Sequence, residues 1–310
     1  PSSGASVVYK SQEYKWEGRF PAVQIGMQAP DQHDLMEEAT SLAKEADAVI
    51  LIVGTNSDWE TEGNDRTSLD LPSNQDELIE KVCNLNKNTI VVLNTGSPCE
   101  MPWVDKANSI LQCWFPGQEF GNSLSDVLFG EVNPSGKLPT TFPKNLSDTP
   151  AYSTYPGKDL QMDYEEGLFI GYRWYDREEI EPLFAFGHGL SYTTFDYSNL
   201  RAVPPKGTSS VAAFELDITN SGDVFGKEIV QGYVKVSESK IDRPIKELKK
   251  FEKVSLEPGE SKKITFELTE RDLSFWSETN QSWQVEPAEY IFEVGASAID
   301  IRESTSVWLG

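Results

Sequence analysis

Six residues without a polar side chain, Ala48-Val49-Ile50-Leu51-Ile52-Val53, follow directly on a helical pattern in which Leu35, Met36, Ala39, Leu42 and Ala43 recur at three- and four-residue steps. Such a run does not alternate, so it reads as a strand covered on both faces. The unit then repeats. Ser73 and Asp76 stand at the spacing of a capping box, and Leu78, Ile79, Val82 and Cys83 form one face of a second helix. Apolar strands follow over residues 89–93 and 110–114, with a helix over about residues 119–128 behind the second. Repeated helix-strand alternation predicts a mainly parallel sheet sandwiched by helices, an α/β domain.

The texture changes twice along the chain. Residues 143–182 are rich in Pro, Gly, Tyr and Trp without a clean period, and the aromatics argue for an ordered connection rather than disorder. After Phe195 short alternating stretches take over, such as Ala212 to Ile218, Ile229 to Val234 and Ile264 to Leu268, separated by turns at Ser221-Gly222-Asp223 and Pro258-Gly259-Glu260. About seven such strands in roughly a hundred residues predict an all-β sandwich of immunoglobulin or fibronectin type III kind. The first thirty residues also alternate but are too few for a sheet of their own. The expected division is 1–30 strand-like, 31–155 α/β, 156–205 connecting and 206–310 sandwich.

A net charge of −23 argues against nucleic acid, whose phosphates demand clustered Lys and Arg, and suits a neutral or cationic ligand. Cys83, Cys99 and Cys113 are an odd number in apolar segments, so buried thiols are expected rather than a disulfide framework. No apolar run reaches the roughly 18 residues of a membrane span, and a charged start followed by an apolar leader is missing. The compartment stays undecided, with the cytoplasm favoured over secretion. The abrupt opening, Pro1-Ser2-Ser3-Gly4 running into strand-like residues, reads as the middle of a longer polypeptide.

Loops leaving the carboxyl ends of parallel strands are where open α/β sheets put ligands. Behind the first apolar strand stands Thr61-Glu62-Gly63-Asn64-Asp65-Arg66, which makes Glu62 a candidate, although by itself it is one acid among 50 Asp and Glu residues. His188 lies between two glycines, and with His33 as the only other histidine no triad or metal cluster assembles, so a structural role is expected.

Longer strings carry a resemblance. Trp114-Phe115-Pro116-Gly117-Gln118-Glu119, the run Leu128 to Pro143 containing Pro134-Ser135-Gly136-Lys137-Leu138-Pro139, Tyr164 to Asp176 containing Gly171-Tyr172-Arg173, and Phe184 to Thr193 containing Gly187-His188-Gly189-Leu190-Ser191-Tyr192 occur in one order. Together they resemble the carboxyl-terminal half of glycoside hydrolase family 3. Asn220-Ser221-Gly222, Arg243 to Phe251 and Pro258 to Ser261 resemble the fibronectin-like domain that closes many of its members. Some members carry a lectin-like insert of the protective-antigen type, and residues 1–30 look like the end of one.

The resemblance implies a retaining β-glucosidase without cofactor or metal, acting on a small β-glucoside or oligosaccharide. Retaining glycosidases use two carboxyl groups roughly 5 Å apart. In this family the nucleophilic Asp sits on an amino-terminal barrel, and the acid/base Glu reaches over it from a loop of the α/β domain. Glu62, directly before Gly63, matches that acid/base. Glu60 is the competitor two residues away. Trp59, Asp58 and Glu60 are candidates for lining the sugar site, Trp59 also for desolvating the donor. Asp65 and Arg66 are expected to brace the loop, the Arg66 fork holding Asp65. Ser57-Asp58-Trp59 imitates the nucleophile's context but in the wrong domain. The nucleophile, and with it independent activity, is expected from the barrel domain of the same parent protein, and a second copy of the chain stands open as a partner. A non-catalytic carbohydrate-binding scaffold and a β-xylosidase are the alternatives.

Overall fold

The structure is a computed structural model describing residues 34–63 and 65–310, so the strand-like segment 1–30 and the lectin-like reading of it lie outside the described residues. Helix α1 (Leu35–Glu45) starts at Asp34, whose side chain accepts from the Met36 and Glu37 amides and so satisfies two otherwise orphaned donors. It leads into β1 (Val49–Gly54), then α2 (Gln75–Leu85), β2 (Thr89–Asn94), β3 (Ser109–Gln112) and α3 (Phe120–Leu128). The three strands form one parallel sheet in the order β1-β2-β3, with Leu51 beside Val91 and Val91 beside Ile110.

Only one face of this sheet is fully covered by the described residues. Ile79 and Cys83 of α2 pack with Val53, Val91, Leu93, Leu71, Met101, Trp103 and Phe142 into a continuous core. On the opposite face of β1, Ile50 is 46% and Ile52 53% exposed. The expectation of a strand covered on both sides therefore holds for β2 and fails at β1, which has no strand on its outer edge and no helix over Ile50 and Ile52 among these residues.

The expected capping box at Ser73 is not formed either. Asn74 caps α2 by position without a side-chain bond, Ser73 takes a left-handed φ of 58°, and the Asp76 carboxylate is used elsewhere. It accepts from the Trp103 indole at 2.7 Å and the Leu71 amide at 3.2 Å. Trp103 is almost fully buried, and a buried indole N–H left unpaired costs more than a cap contributes.

The connection contains a short helix, α4 (Tyr172–Arg177), and an antiparallel bridge between Phe142 and Phe184. The Tyr172 ring stacks on Phe186 at 5.1 Å while its hydroxyl accepts from the Leu248 amide, and Asp176 pairs with Lys246. These contacts attach the connection to the all-β part.

That part comprises β4 (Phe195–Val203), β5 (Ser210–Asn220), β6 (Gly226–Val236), β7 (Glu247–Leu256), β8 (Ser261–Thr269), β9 (Phe275–Ser277), β10 (Ser282–Gln284), β11 (Ala288–Gly295) and β12 (Ile301–Leu309). Seven of these strands make two antiparallel sheets, β12-β11-β6-β7 and β4-β5-β8, while β9 and β10 form a separate hairpin. Inward positions alternate as a sandwich requires, and Phe214 stacks on Phe292 across the core at 4.2 Å. Because β4 pairs with β5, the sandwich begins at Phe195, inside the segment 156–205 expected to be connection. No helix of the described residues is long and apolar enough to cross a membrane.

Candidate active site

The carboxyl ends of β1, β2 and β3 lie side by side because the strands are parallel and in register, Gly54 opposite Asn94 and Leu93 opposite Gln112. The strand ends are drawn close. A Cβ on Gly54 would stand 2.1 Å from the Asn94 carbonyl oxygen, so only glycine fits there. The Gln75 side-chain amide grips both polar groups of Gly54, accepting from its N–H at 2.7 Å and donating to its carbonyl at 2.9 Å.

From Thr55 the chain makes a tight turn. The Asn56 carbonyl accepts from the amides of Trp59 and Glu60, and the Asn56 side chain accepts from the Asp58 amide. Asp58 and Trp59 are thereby held at an exposed tip, Trp59 being 40% exposed. Glu60 turns inward. Its Oε1 accepts from the Thr55 hydroxyl at 2.5 Å and from the Gly96 amide at 3.1 Å, with Arg66 Nη1 3.9 Å away. Glu62 lies two residues further on, exposed, with no hydrogen-bond or ion-pair partner among the described residues. Gly63 follows at φ +83°, where a Cβ would meet nothing, so its glycine serves the backbone turn and not close packing.

Arg66 and Asp65, expected to brace the loop through each other, form no bond to one another. The Arg66 guanidinium donates to Ser97 Oγ at 2.9 Å and to the Asp70 carbonyl at 3.2 Å, and its nearest carboxylate is that of Glu60. The Asp65 carboxylate instead lies near the Tyr155 hydroxyl and raises that phenol's pKa above its usual value. The reason is topological: the loop runs across the end of β2, so Arg66 faces the turn after that strand.

The third strand contributes aromatics. Trp114 adopts a left-handed φ of 56°, costly for an aromatic residue, and its ring packs edge-on against Phe142 at 6.1 Å. Phe115 is left half-exposed against Gly96, where an added Cβ would lie 2.6 Å from the Phe115 ring and 2.5 Å from Glu60 Oε2. Thr55, Gly96, Ser97, Phe115 and Tyr155 are the site residues that sequence reasoning missed. Thr95-Gly96-Ser97 was open to detection, since it follows the second strand as Glu62 follows the first.

Away from this rim the other singled-out residues are structural. His188 stacks on Phe184 at 5.3 Å, and burial, with Lys137 adding, pushes its pKa below the usual imidazole value. Trp103 is core. Cys83 and Cys99 are buried free thiols and Cys113 is half-buried, with burial pushing Cys99 up to about 12. Among the described residues no three His, Cys, Asp or Glu side chains gather into a metal-holding group.

Comparison with known proteins bears on this rim. The model of the glycosyl hydrolase family 3 C-terminal domain matches residues 10–192, starting within the segment 1–30, and that of the fibronectin type III-like domain matches residues 228–298. The chain is 48% identical over 276 residues to the thermostable beta-glucosidase B of Acetivibrio thermocellus, covering 88% of this chain and 36% of that protein. It is similar in structure to the beta-glucosidase of Kluyveromyces marxianus in complex with glucose, with a TM-score of 0.85 and 40% identity over 92% of this chain and 34% of that one. A Bifidobacterium adolescentis GH3 beta-glucosidase gives a TM-score of 0.85 at 42% identity, over 90% of this chain and 42% of that one. The chain thus spans about a third of the length of the curated relatives it matches.

Proposed function

This chain belongs to glycoside hydrolase family 3, and from that premise we propose that it is the part of a retaining β-glucosidase that carries the proton donor, Glu62. The observation that carries the reading is the setting of Glu62: an exposed carboxylate, unpaired among the described residues, on the carboxyl edge of a parallel sheet, on a loop tied down at Glu60 before it and at Arg66 after it. A proton donor needs a free carboxyl group on a rigid base, and this arrangement supplies both.

In the proposed reaction the Glu62 carboxyl protonates the glycosidic oxygen as the bond breaks, then as carboxylate takes a proton from the water that releases the sugar. The nucleophilic Asp is expected on a barrel domain, within the length that the relatives have beyond the shared third. Docking of that domain and of the sugar would enclose Glu62 beside the glycosidic oxygen. Asp58 and Trp59 stand at the loop tip as lining for the sugar. The substrate is a terminal non-reducing β-D-glucosyl residue, with water as second substrate.

Glu62→Gln in the full-length protein tests this. Hydrolysis of a phenyl β-glucoside, whose leaving oxygen needs a proton, should fall about 10²–10⁴-fold, while a dinitrophenyl β-glucoside is largely spared. Equal rates on both substrates for variant and wild type would reject the assignment.

A further inference from the structure

Glu60 was a candidate for contacting sugar, but its side chain is only 15% exposed and its Oε1 is already engaged. That oxygen accepts from the Thr55 hydroxyl on its own loop and from the Gly96 amide on the loop after β2. The backbone of Glu60 is fixed as well, its amide donating to the Asn56 carbonyl at 2.9 Å. Arg66, 12% exposed, lies 3.9 Å from the same oxygen and is itself held by Ser97 and the Asp70 carbonyl. Gly96 completes the fit, because any side chain there would strike Glu60 Oε2.

We propose that Glu60 is a positioning residue for the hydrolysis: its carboxylate fastens the loop after β1 to the loop after β2 and thereby sets the place of Glu62, one residue beyond its neighbour Thr61. The inference rests on Glu62 being the proton donor. Charge-assisted bonds to a backbone amide and a hydroxyl are stronger and more directional than neutral ones. A donor displaced by about 1 Å loses up to about 10²-fold in rate. The Glu60 side chain has the length to reach Gly96, and aspartate, one methylene shorter, does not.

The test uses Glu60→Asp, Glu60→Gln and Thr55→Val in the full-length protein, with Glu62→Ala as reference. Glu60→Asp should lower kcat on the phenyl β-glucoside about 10–100-fold with KM changed less than about twofold. The dinitrophenyl β-glucoside should lose less than about threefold, because its departure needs no proton. Hydrogen exchange over the peptide containing Gly96 should accelerate in all three variants, a readout independent of catalysis. Azide should restore turnover in Glu62→Ala and not in the Glu60 variants. A rise confined to KM, unchanged exchange at Gly96, or azide rescue of a Glu60 variant would each overturn the proposal while leaving the role of Glu62 standing or moved to Glu60. Glu62→Ala without azide rescue and without leaving-group dependence would overturn both readings together.

Discussion

Lys137 Nζ stands 3.1 Å from Glu228 Oε1, with the two side chains only 10% and 7% exposed. Lys137 lies between α3 and the sandwich and also donates to the Gly189 carbonyl at 2.8 Å, while Glu228 on β6 accepts from the Tyr197 hydroxyl at 3.1 Å. A nearly dry ion pair thus joins the chain leaving the α/β part, the loop around Gly189 and both sheets of the sandwich.

Breaking that pair from one side should be costly. Lys137→Met leaves Glu228 buried without its cation, and a loss of about 3–5 kcal/mol is expected in urea denaturation. The double variant Lys137→Met/Glu228→Gln should recover a large part of it, since no uncompensated charge remains. A single variant within about 0.5 kcal/mol of wild type would show that the pair contributes nothing.

His188 gives the protein a specific pH dependence. Burial, with Lys137 nearby, lowers its folded pKa below the ordinary imidazole value of 6.5, so the unfolded chain binds the proton more readily than the folded one. Stability from this group is complete above about pH 6.5 and declines as pH falls from there toward the depressed folded value. Thermal midpoints measured between about pH 7.5 and 5.5, above the range in which ordinary carboxylates titrate, should fall with acidification in wild type and fall less in His188→Phe, which keeps a ring against Phe184. Identical slopes would contradict the assignment.

Gly54 is a packing requirement at the base of the candidate site. Its added Cβ would meet the Asn94 carbonyl oxygen, a backbone atom that cannot swing aside. Gly54→Ala should cost at least about 2 kcal/mol and separate the ends of β1 and β2. Gly63→Ala, where nothing lies within 4 Å but φ is +83°, should cost about 1 kcal/mol through backbone strain alone. Equal losses at the two positions in chemical denaturation would refute this distinction.

Freeing the loop at Arg66 should act on catalysis more than on folding. Arg66→Ala removes the bonds to Ser97 and Asp70, so we expect kcat on a phenyl β-glucoside to drop about tenfold or more in the full-length protein. Arg66→Lys should restore little, because an ammonium cannot reproduce the fork. Full activity in Arg66→Ala would show that the loop needs no such anchor.

Much of the architecture was readable from residue order. Periodicity is local, so the apolar runs of β1 and β2 and the alternation from Ala212 to Ile218 announced a parallel sheet followed by a seven-stranded sandwich, and the family strings fixed the same two domains. The edge character of β1 was not readable, because Ile50 and Ile52 look the same in sequence whether or not something lies over them.

The sequence by itself determined the kinds of layers and their order, because each depends on neighbours within a few residues. Only the tertiary structure decided that Glu60 faces inward and Glu62 outward, that Arg66 serves Ser97 rather than Asp65, and that Asp76 serves Trp103 rather than a helix cap. Several of these bonds join residues that are 27, 31 and 36 positions apart. Their partners become neighbours only when parallel strands bring separate loops to one edge, and no spacing along the chain encodes which side chain each will meet.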